Sequence, residues 1–530
     1  MFFSPPKSFH VAGRAHGWLR PPWIPFFSFV LISLLAFAPA AIGNPIDMAD
    51  PPEGRFWDEW MEVMLANEKV GYSRFSITRS GDRIEVREVM TMRLARHLAE
   101  VNLEVARSSV ETLSGEPLAF RSESTLGQLP LVMEGVIIND ELSVTTRQAG
   151  NVQERRYPWV DGALMNWGTI RESFRRGFEP GVEYSIPVFN PDLRLDGPVD
   201  SMIRIAGNET VTVRELKISA TRIETRLEVP MGSFESVSWV DSDGRTLISK
   251  MNMGGLDITM VSATESIALK EFVPPEIFDS ALLAANVAIP RGAQSVTYVI
   301  TFPHDGDDFI EWPETRQQEI LASSPGKAVI RVTRGEHAAT AVRHKKSDRG
   351  DEDLTSYLAA NAAINSADGR LIALGREALG EGLNASQHPF ATADRLRRFA
   401  TGYISEKNLD VGFATASEVA RRPVGDCTEH AVFLAALGRV CEIPSRVAVG
   451  LAYVSEYAGR ENVFGVHMWT QMYLHDQWID LDASLGESEC SPTRIAFLTG
   501  SLDDGRPVDV MLPMMKLLGQ IKVEISKVEI

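Results

Sequence analysis

Residues 425–446 read GDCTEHAVFLAALGRVCEIPSR, and residues 466–482 read VHMWTQMYLHDQWIDLD. In the first stretch Thr428 to Val440 is rich in strong helix formers, and Ala431, Leu434 and Leu437 recur at helical spacing. Gly425-Asp426 breaks regular structure just before this run. Cys427 is therefore expected at a helix N-terminus. The unsatisfied backbone N–H groups of such an end carry partial positive charge, which favours a thiolate and can hold a developing oxyanion.

The second stretch predicts a β-hairpin, Val466 to Leu474 and Gln477 to Leu481, with His475-Asp476 as a two-residue loop. In that register Trp469 pairs with Asp482, and Asp482 lies diagonal to His467 on one sheet face, roughly 7–8 Å between backbones. His467, Trp469, Gln471 and Tyr473 share that face with Trp478, Asp480 and Asp482. Met468, Met472, Leu474, Ile479 and Leu481 point the other way, into a core. Cys427, His467 and Asp482 thus stand in the order of nucleophile, base and orienter. Singly, a cysteine at a helix start is a small hydrophobe, a strand histidine a satisfied core residue, and an aspartate after a strand a turn former. Their shared order and geometry outweigh those readings. His430, on the same helix as Cys427, has no orienter and ranks below His467 as base, and Trp469 reads as a cleft wall.

These residues resemble the transglutaminase-like superfamily, whose core pattern is Gly-x-Cys before a helix, Gly-Ile-Pro-x-Arg after it, then His-x-Trp and Trp-x-x-x-Asp. The corresponding elements are Gly425-Asp426-Cys427, Glu442-Ile443-Pro444-Ser445-Arg446, His467-Met468-Trp469 and Trp478 to Asp482. Glu442 stands where the pattern has Gly, Met468 where Ala is common, and Asp482-Ala483-Ser484 where Asp-Pro-Thr is frequent. None of these departures removes a reacting group. The resemblance covers roughly residues 352 to 500 and implies a papain-like domain with Cys427 as nucleophile, His467 as general base then acid, and Asp482 as orienter.

The chain has 530 residues, 44% hydrophobic and 23% charged, which is ordinary globular usage spread over several domains. Residues 1–43 carry Lys7, Arg14 and Arg20 and no acid, then an apolar run near Phe26 to Ala38 bracketed by Pro25 and Pro39, then Ala41-Ile42-Gly43 as a cleavage site. This reads as a signal peptide, and an uncleaved anchor is the alternative; the run falls short of the about 20 residues that span a bilayer. No other stretch is apolar enough to span. Loss of the three basic residues takes the formal charge from −18 to −21, which disfavours nucleic acid as a partner. The three cysteines, Cys427, Cys441 and Cys490, cannot all pair within one chain. A Cys441–Cys490 bridge and unpaired buried thiols are both open. Cysteine and histidine spacings lack the clusters of a zinc site, so neither metal nor cofactor is implied.

From Asn44 to about Phe302, β-prone runs alternate with turn signals at Ser80-Gly81-Asp82, Ser114-Gly115-Glu116-Pro117, Asn139-Asp140 and Asp241-Ser242-Asp243-Gly244. A composition change from Glu179-Pro180-Gly181 to Pro198 divides this region into sandwich-like antiparallel modules over 44–190 and 191–343. Asp305-Gly306-Asp307-Asp308 lacks the ligand spacing of a calcium loop and reads as a turn. The mixed-charge segment 344–353 reads as a linker to a catalytic domain over 354–530, with its core motifs in 415–490. Leu354 to Ile364, Arg370 to Leu379 and Thr392 to Ile404 read as helices. The fold class expected is α+β.

The expected function is an exported cysteine enzyme that acts on protein or peptide amide bonds through a thioester, by hydrolysis or by transfer to an amine. A non-catalytic extracytoplasmic binding or assembly protein that retains the fold is the alternative.

Overall fold

The computed structural model describes residues 46–96, 99–125, 130–148, 151–229, 232–253, 256–276, 282–302, 312–335, 354–380, 387–406, 414–457, 459–486, 490–502 and 521–530. The leader expected over 1–43, the turn at 305–308 and the linker over 344–353 lie outside the described residues.

The N-terminal part is antiparallel β. Its strands are β1 (Gly54–Leu65), β2 (Glu68–Ser80), β3 (Arg83–Arg96), β4 (Ala99–Thr112), β5 (Pro117–Thr125), β6 (Leu131–Ile138), β7 (Glu141–Gln148) and β8 (Asn151–Pro158). After helix α1 (Asn166–Arg176) come β9 (Glu183–Val188), β10 (Val199–Val213), β11 (Leu216–Val229), β12 (Gly232–Val240), β13 (Thr246–Met253) and β14 (Leu256–Ala263). The turn signals read from the sequence fall between strands as expected, with Asn139 at φ 52° and Asp140 at φ 61° in a left-handed two-residue turn. All fourteen strands join one sheet in the order 8-7-6-5-4-3-2-1-14-13-12-11-10-9. The division expected near residue 190 therefore falls inside a single sheet, because β14 returns to pair with β1 from Trp60↔Ala263 to Leu65↔Ile258.

One face of this sheet is buried. On β1 the buried residues Trp57, Glu59, Met61, Val63 and Leu65 alternate with partly exposed ones. Toward one end this face packs on α1, Trp57, Ile77, Ile84 and Val86 meeting Trp167 and Ile170. The N-terminus of α1 docks on β4: the backbone N–H groups of Trp167 and Gly168 donate to Glu111 Oε1 at 2.7 Å and Oε2 at 2.8 Å.

The chain then runs through α2 (Glu265–Ala268), β15 (Leu283–Ala284), β16 (Ser295–Thr301), β17 (Gln318–Ser324) and β18 (Lys327–Thr333). Four helices follow, α3 (Gly369–Leu379), α4 (Pro389–Tyr403), α5 (Ala416–Arg421) and α6 (Cys427–Val440). The last elements are β19 (Ser445–Tyr457), β20 (Arg460–Leu474), β21 (Gln477–Leu481), β22 (Arg494–Gly500) and β23 (Lys522–Glu529). A second sheet has the order 15-20-19-22, with β21 also paired to β20, and a third has the order 17-18-16-23. The final strand thus crosses back to the segment that precedes the helices. Helix α6 is buried along nearly its whole length between β19 and β20 on one side and α3, α4 and α5 on the other.

The helices expected over Arg370 to Leu379 and Thr392 to Ile404 are α3 and α4. Leu354 to Ile364 is not a helix but a series of turns. Its carbonyls are taken by tertiary donors, Tyr357 O by Ser445 N at 2.9 Å and Ala359 O by Arg439 Nη1 at 2.7 Å. The Asn361 side chain accepts from Ile364 N at 2.7 Å, a local bond that competes with a helical ladder.

The face of the fourteen-stranded sheet that holds α1 continues, at its other end, onto the second sheet. Met61, Val63, Leu65, Met90, Met92 and Met260 pack with Ala452, Tyr457 and Val463 from the tip of the β19–β20 hairpin. Among the described residues no helix is long and apolar enough to cross a membrane.

Candidate active site

Asp426 is the N-cap of α6 and Glu429 completes a capping box, so Cys427 is the first residue of the helix, as expected. Glu429 folds back to accept from Asp426 N at 2.8 Å through Oε2 and from Ala414 N at 2.8 Å through Oε1. That fold-back explains Gly425: a Cβ there would lie 2.3 Å from Glu429 Cβ. Burial, reinforced by the charge of Asp426, pushes the Glu429 carboxyl well above its usual range.

The Thr428 N–H donates to Asp426 Oδ1 at 3.0 Å and the capping box engages the Glu429 N–H as well. The N–H groups of Thr428 and Glu429 are therefore engaged by the cap, whose acidic side chain offsets part of the positive end.

The β20–β21 hairpin has the expected register, Leu474↔Gln477 to Thr470↔Leu481. Its loop residues His475 and Asp476 sit at φ 51° and 63°. The polar face assembles as read from the sequence. Trp469 Nε1 donates to Asp480 Oδ1 at 2.9 Å and Gln471 Nε2 to the same oxygen at 2.7 Å, while the Tyr473 and Trp478 rings meet edge to face. Met468, Met472, Leu474, Ile479 and Leu481 enter the core on the opposite side. There Thr470 Oγ1 donates to Ala431 O at 2.8 Å, tying β20 to the helix one turn beyond Cys427.

His467 Nε2 contacts Asp482 Oδ2 at 2.7 Å. With Nε2–H donating to the carboxylate, the imidazole lone pair falls on Nδ1. Trp469 stacks beside His467, 5.9 Å between ring centroids, and is a wall of the site. Cys427, His467 and Asp482 are all buried, at 0%, 0% and 1% exposure, so the site is closed in this conformation. His430 is held elsewhere, its Nδ1 2.6 Å from Asp426 O within its own helix.

Arg494, which the sequence did not single out, and Ser484, which it marked only as a departure from the pattern, complete the Asp482 environment. Arg494 Nε donates to Oδ2 at 2.8 Å, and Ser484 donates to Oδ1 through its N at 2.9 Å and its Oγ at 2.6 Å. Burial alone would raise the Asp482 carboxyl; the Arg494 guanidinium, with His467 and Ser484, outweighs it and holds the carboxyl well below the usual range. No local spacing links Arg494 to Asp482, since it begins a different strand.

The remaining motif residues have structural roles. The Arg446 guanidinium lies 3.9 Å over the Trp478 ring and its Nε donates to Gln471 Oε1 at 2.8 Å. Glu442, which stands where the resembling pattern has Gly, has φ 59°. It occupies the left-handed position that ends α6, with Ile443 N bonded to Gly438 O at 2.9 Å and Glu442 N to Arg439 O at 3.0 Å. No disulfide joins the three cysteines, all of which are buried. Burial pushes the Cys441 thiol up to about 11. Among the described residues no group of three or more His, Cys, Asp or Glu side chains could hold a metal ion.

No curated protein matches the chain. Solved structures similar to it include a candidate cysteine protease from Cytophaga hutchinsonii, with 15% identity, 43% of this chain and 83% of that one covered, and TM-score 0.27. A β-barrel-like protein of a domain of unknown function from Brucella abortus has 9% identity, 40% and 96% coverage, and TM-score 0.30. A candidate protease from Parabacteroides distasonis has 10% identity, 76% and 68% coverage, and TM-score 0.18. The family description of the transglutaminase-like superfamily matches residues 377–483, the span that contains Cys427, His467 and Asp482. This chain carries a transglutaminase-like domain.

Proposed function

We propose that this chain is an exported cysteine acyl-transfer enzyme that acts on protein or peptide amide bonds. The observation that best supports the reading is the 2.7 Å contact of His467 Nε2 with Asp482 Oδ2, which leaves Nδ1 as the basic nitrogen in a domain whose buried helix begins at Cys427. In the reaction Nδ1 of His467 takes the Sγ proton as Sγ forms a bond to the amide carbon. The C–N bond then breaks, and the amine leaves with that proton. Water or a second amine next attacks the thioester carbon, passing its proton to His467; the C–S bond breaks, the acid or new amide leaves, and the proton passes from Nδ1 to Sγ to restore the thiol. Asp482 holds the imidazole in one tautomer throughout. Export rests on the basic and then apolar leader sequence over residues 1–43.

The rival reading, a binding module that keeps the fold, draws on the complete burial of the three groups. Iodoacetamide labelling followed by peptide mass spectrometry separates the two, with buried Cys490 as the internal control for access. The enzyme reading expects Cys427 to label well below pH 8.5, faster than Cys490, and to lose that advantage in His467→Ala. Labelling of Cys427 at the rate of Cys490, unchanged by His467→Ala, would overturn it.

A further inference from the structure

We propose that Arg494 is a positioning residue for the acyl-transfer reaction, acting through Asp482; the proposal rests on the enzyme reading above. The hairpin ladder ends at Thr470↔Leu481, one residue short of Asp482, so backbone pairing does not hold the aspartate. Its side chain is held instead by its own turn and by a different strand. Oδ1 is taken by Ser484 N and Oγ, with Leu485 N at 3.3 Å, and Oδ2 is shared between His467 Nε2 at 2.7 Å and Arg494 Nε at 2.8 Å.

Arg494 reaches this oxygen from β22, which is separated from β21 by β19 and β20. Gly450 on β19, opposite His467 on β20 and Ala496 on β22, lets β22 come close: a Cβ there would meet Ile495 O at 1.9 Å. The guanidinium is anchored in turn, Nη1 donating to Ser491 Oγ at 3.1 Å, and is 2% exposed. A guanidinium is permanently charged, so the buried carboxylate keeps a cationic partner whatever the protonation state of His467. The two donors approach one oxygen from two strands and so fix the carboxylate plane, and through it the direction in which Nδ1 of His467 points.

The test uses the full chain with Arg494→Met, Arg494→Lys, Asp482→Asn and the double variant Asp482→Asn/Arg494→Met. Two readouts are taken: the alkylation rate of Cys427, and the imidazole N–H proton resonance of His467 in protein with labelled histidine. Arg494→Met is expected to slow alkylation by on the order of 10²-fold and to shift or abolish the resonance, Arg494→Lys to restore part of both, and the double variant to equal Asp482→Asn alone. Arg494→Lys leaves the buried carboxylate a cationic partner, so slowed alkylation and a shifted resonance in that variant answer even if Arg494→Met does not fold, and an unaltered rate and resonance there would count against the proposal. Effects of the two substitutions that multiply, or a resonance unchanged in Arg494→Met, would overturn the proposal. If His467→Ala alkylates as fast as the unaltered chain, the enzyme reading fails. The resonance still tests the Arg494 contact, because it does not depend on Cys427.

Discussion

Glu59 gives the sharpest test of the physical account of the large sheet. It lies on the buried face of β1 at 8% exposure, and neither carboxylate oxygen makes a well-formed hydrogen bond. Burial outweighs the opposing Arg245 charge and pushes the carboxyl from 4.5 up to about 8. Between those two values the folded protein keeps a proton that the unfolded chain has released. Stability from this group is therefore fully present below pH 4.5 and is lost as pH rises to about 8. At about 1.4 kcal/mol per unit, the whole loss is at most roughly 5 kcal/mol. Glu88 and Glu111, pushed up to about 7 each chiefly by burial, add declines of the same sign, so the total pH dependence does not isolate Glu59. The difference between the unaltered chain and Glu59→Gln does. Urea unfolding at pH 5 and pH 9 should find Glu59→Gln gaining several kcal/mol on the unaltered chain between the two conditions, with the two within about 1 kcal/mol at pH 5. Parallel pH dependence of the two proteins would show that burial does not hold a proton on Glu59.

Glu442→Gly should stabilise the chain by about 0.5–1 kcal/mol in thermal unfolding, because glycine occupies the left-handed end of α6 without the cost a side chain carries, offset in part by its greater freedom when unfolded. A lowered midpoint would show that Glu442 makes compensating contacts. Gly425→Ala should drive Glu429 from the cap and cost about 1–2 kcal/mol, with slower alkylation of Cys427. An unchanged midpoint and labelling rate would mean that the cap tolerates the added carbon.

The hairpin was the most legible part of the site. Its register follows from a two-residue loop, and the alternation of side chains then places His467, Trp469 and Gln471 on one face and Met468 and Met472 on the other. Likewise the helix start is legible in Gly425-Asp426-Cys427, but the occupancy of its donors is not, since the sequence marks Gly425-Asp426 only as a break before the helix. The strands of the large sheet could be counted from their turns. The pairing of β1 with β14 joins residues about two hundred positions apart and has no local signature, so the sheet was read as two modules. Arg494 escaped notice for the same reason. The Leu354 to Ile364 segment has a helical composition, yet tertiary donors take its carbonyls, an outcome that intrinsic propensity does not encode.

The β19–β20 hairpin belongs mechanically to two bodies at once. Val463 is wedged against the large sheet while His467, four positions along the same strand, holds the aspartate; at about 3.3 Å per residue the two points are roughly 13 Å apart on one stiff ribbon. A strand clamped at both ends transmits displacement as a rod does. Any loosening of the methionine-lined seat around Tyr457 and Val463 frees one end of the ribbon that orients the imidazole. The fourteen-stranded sheet is therefore part of the foundation on which that imidazole stands, and cutting the chain between the two would expose the hairpin's apolar tip and leave its histidine on an unbraced arm.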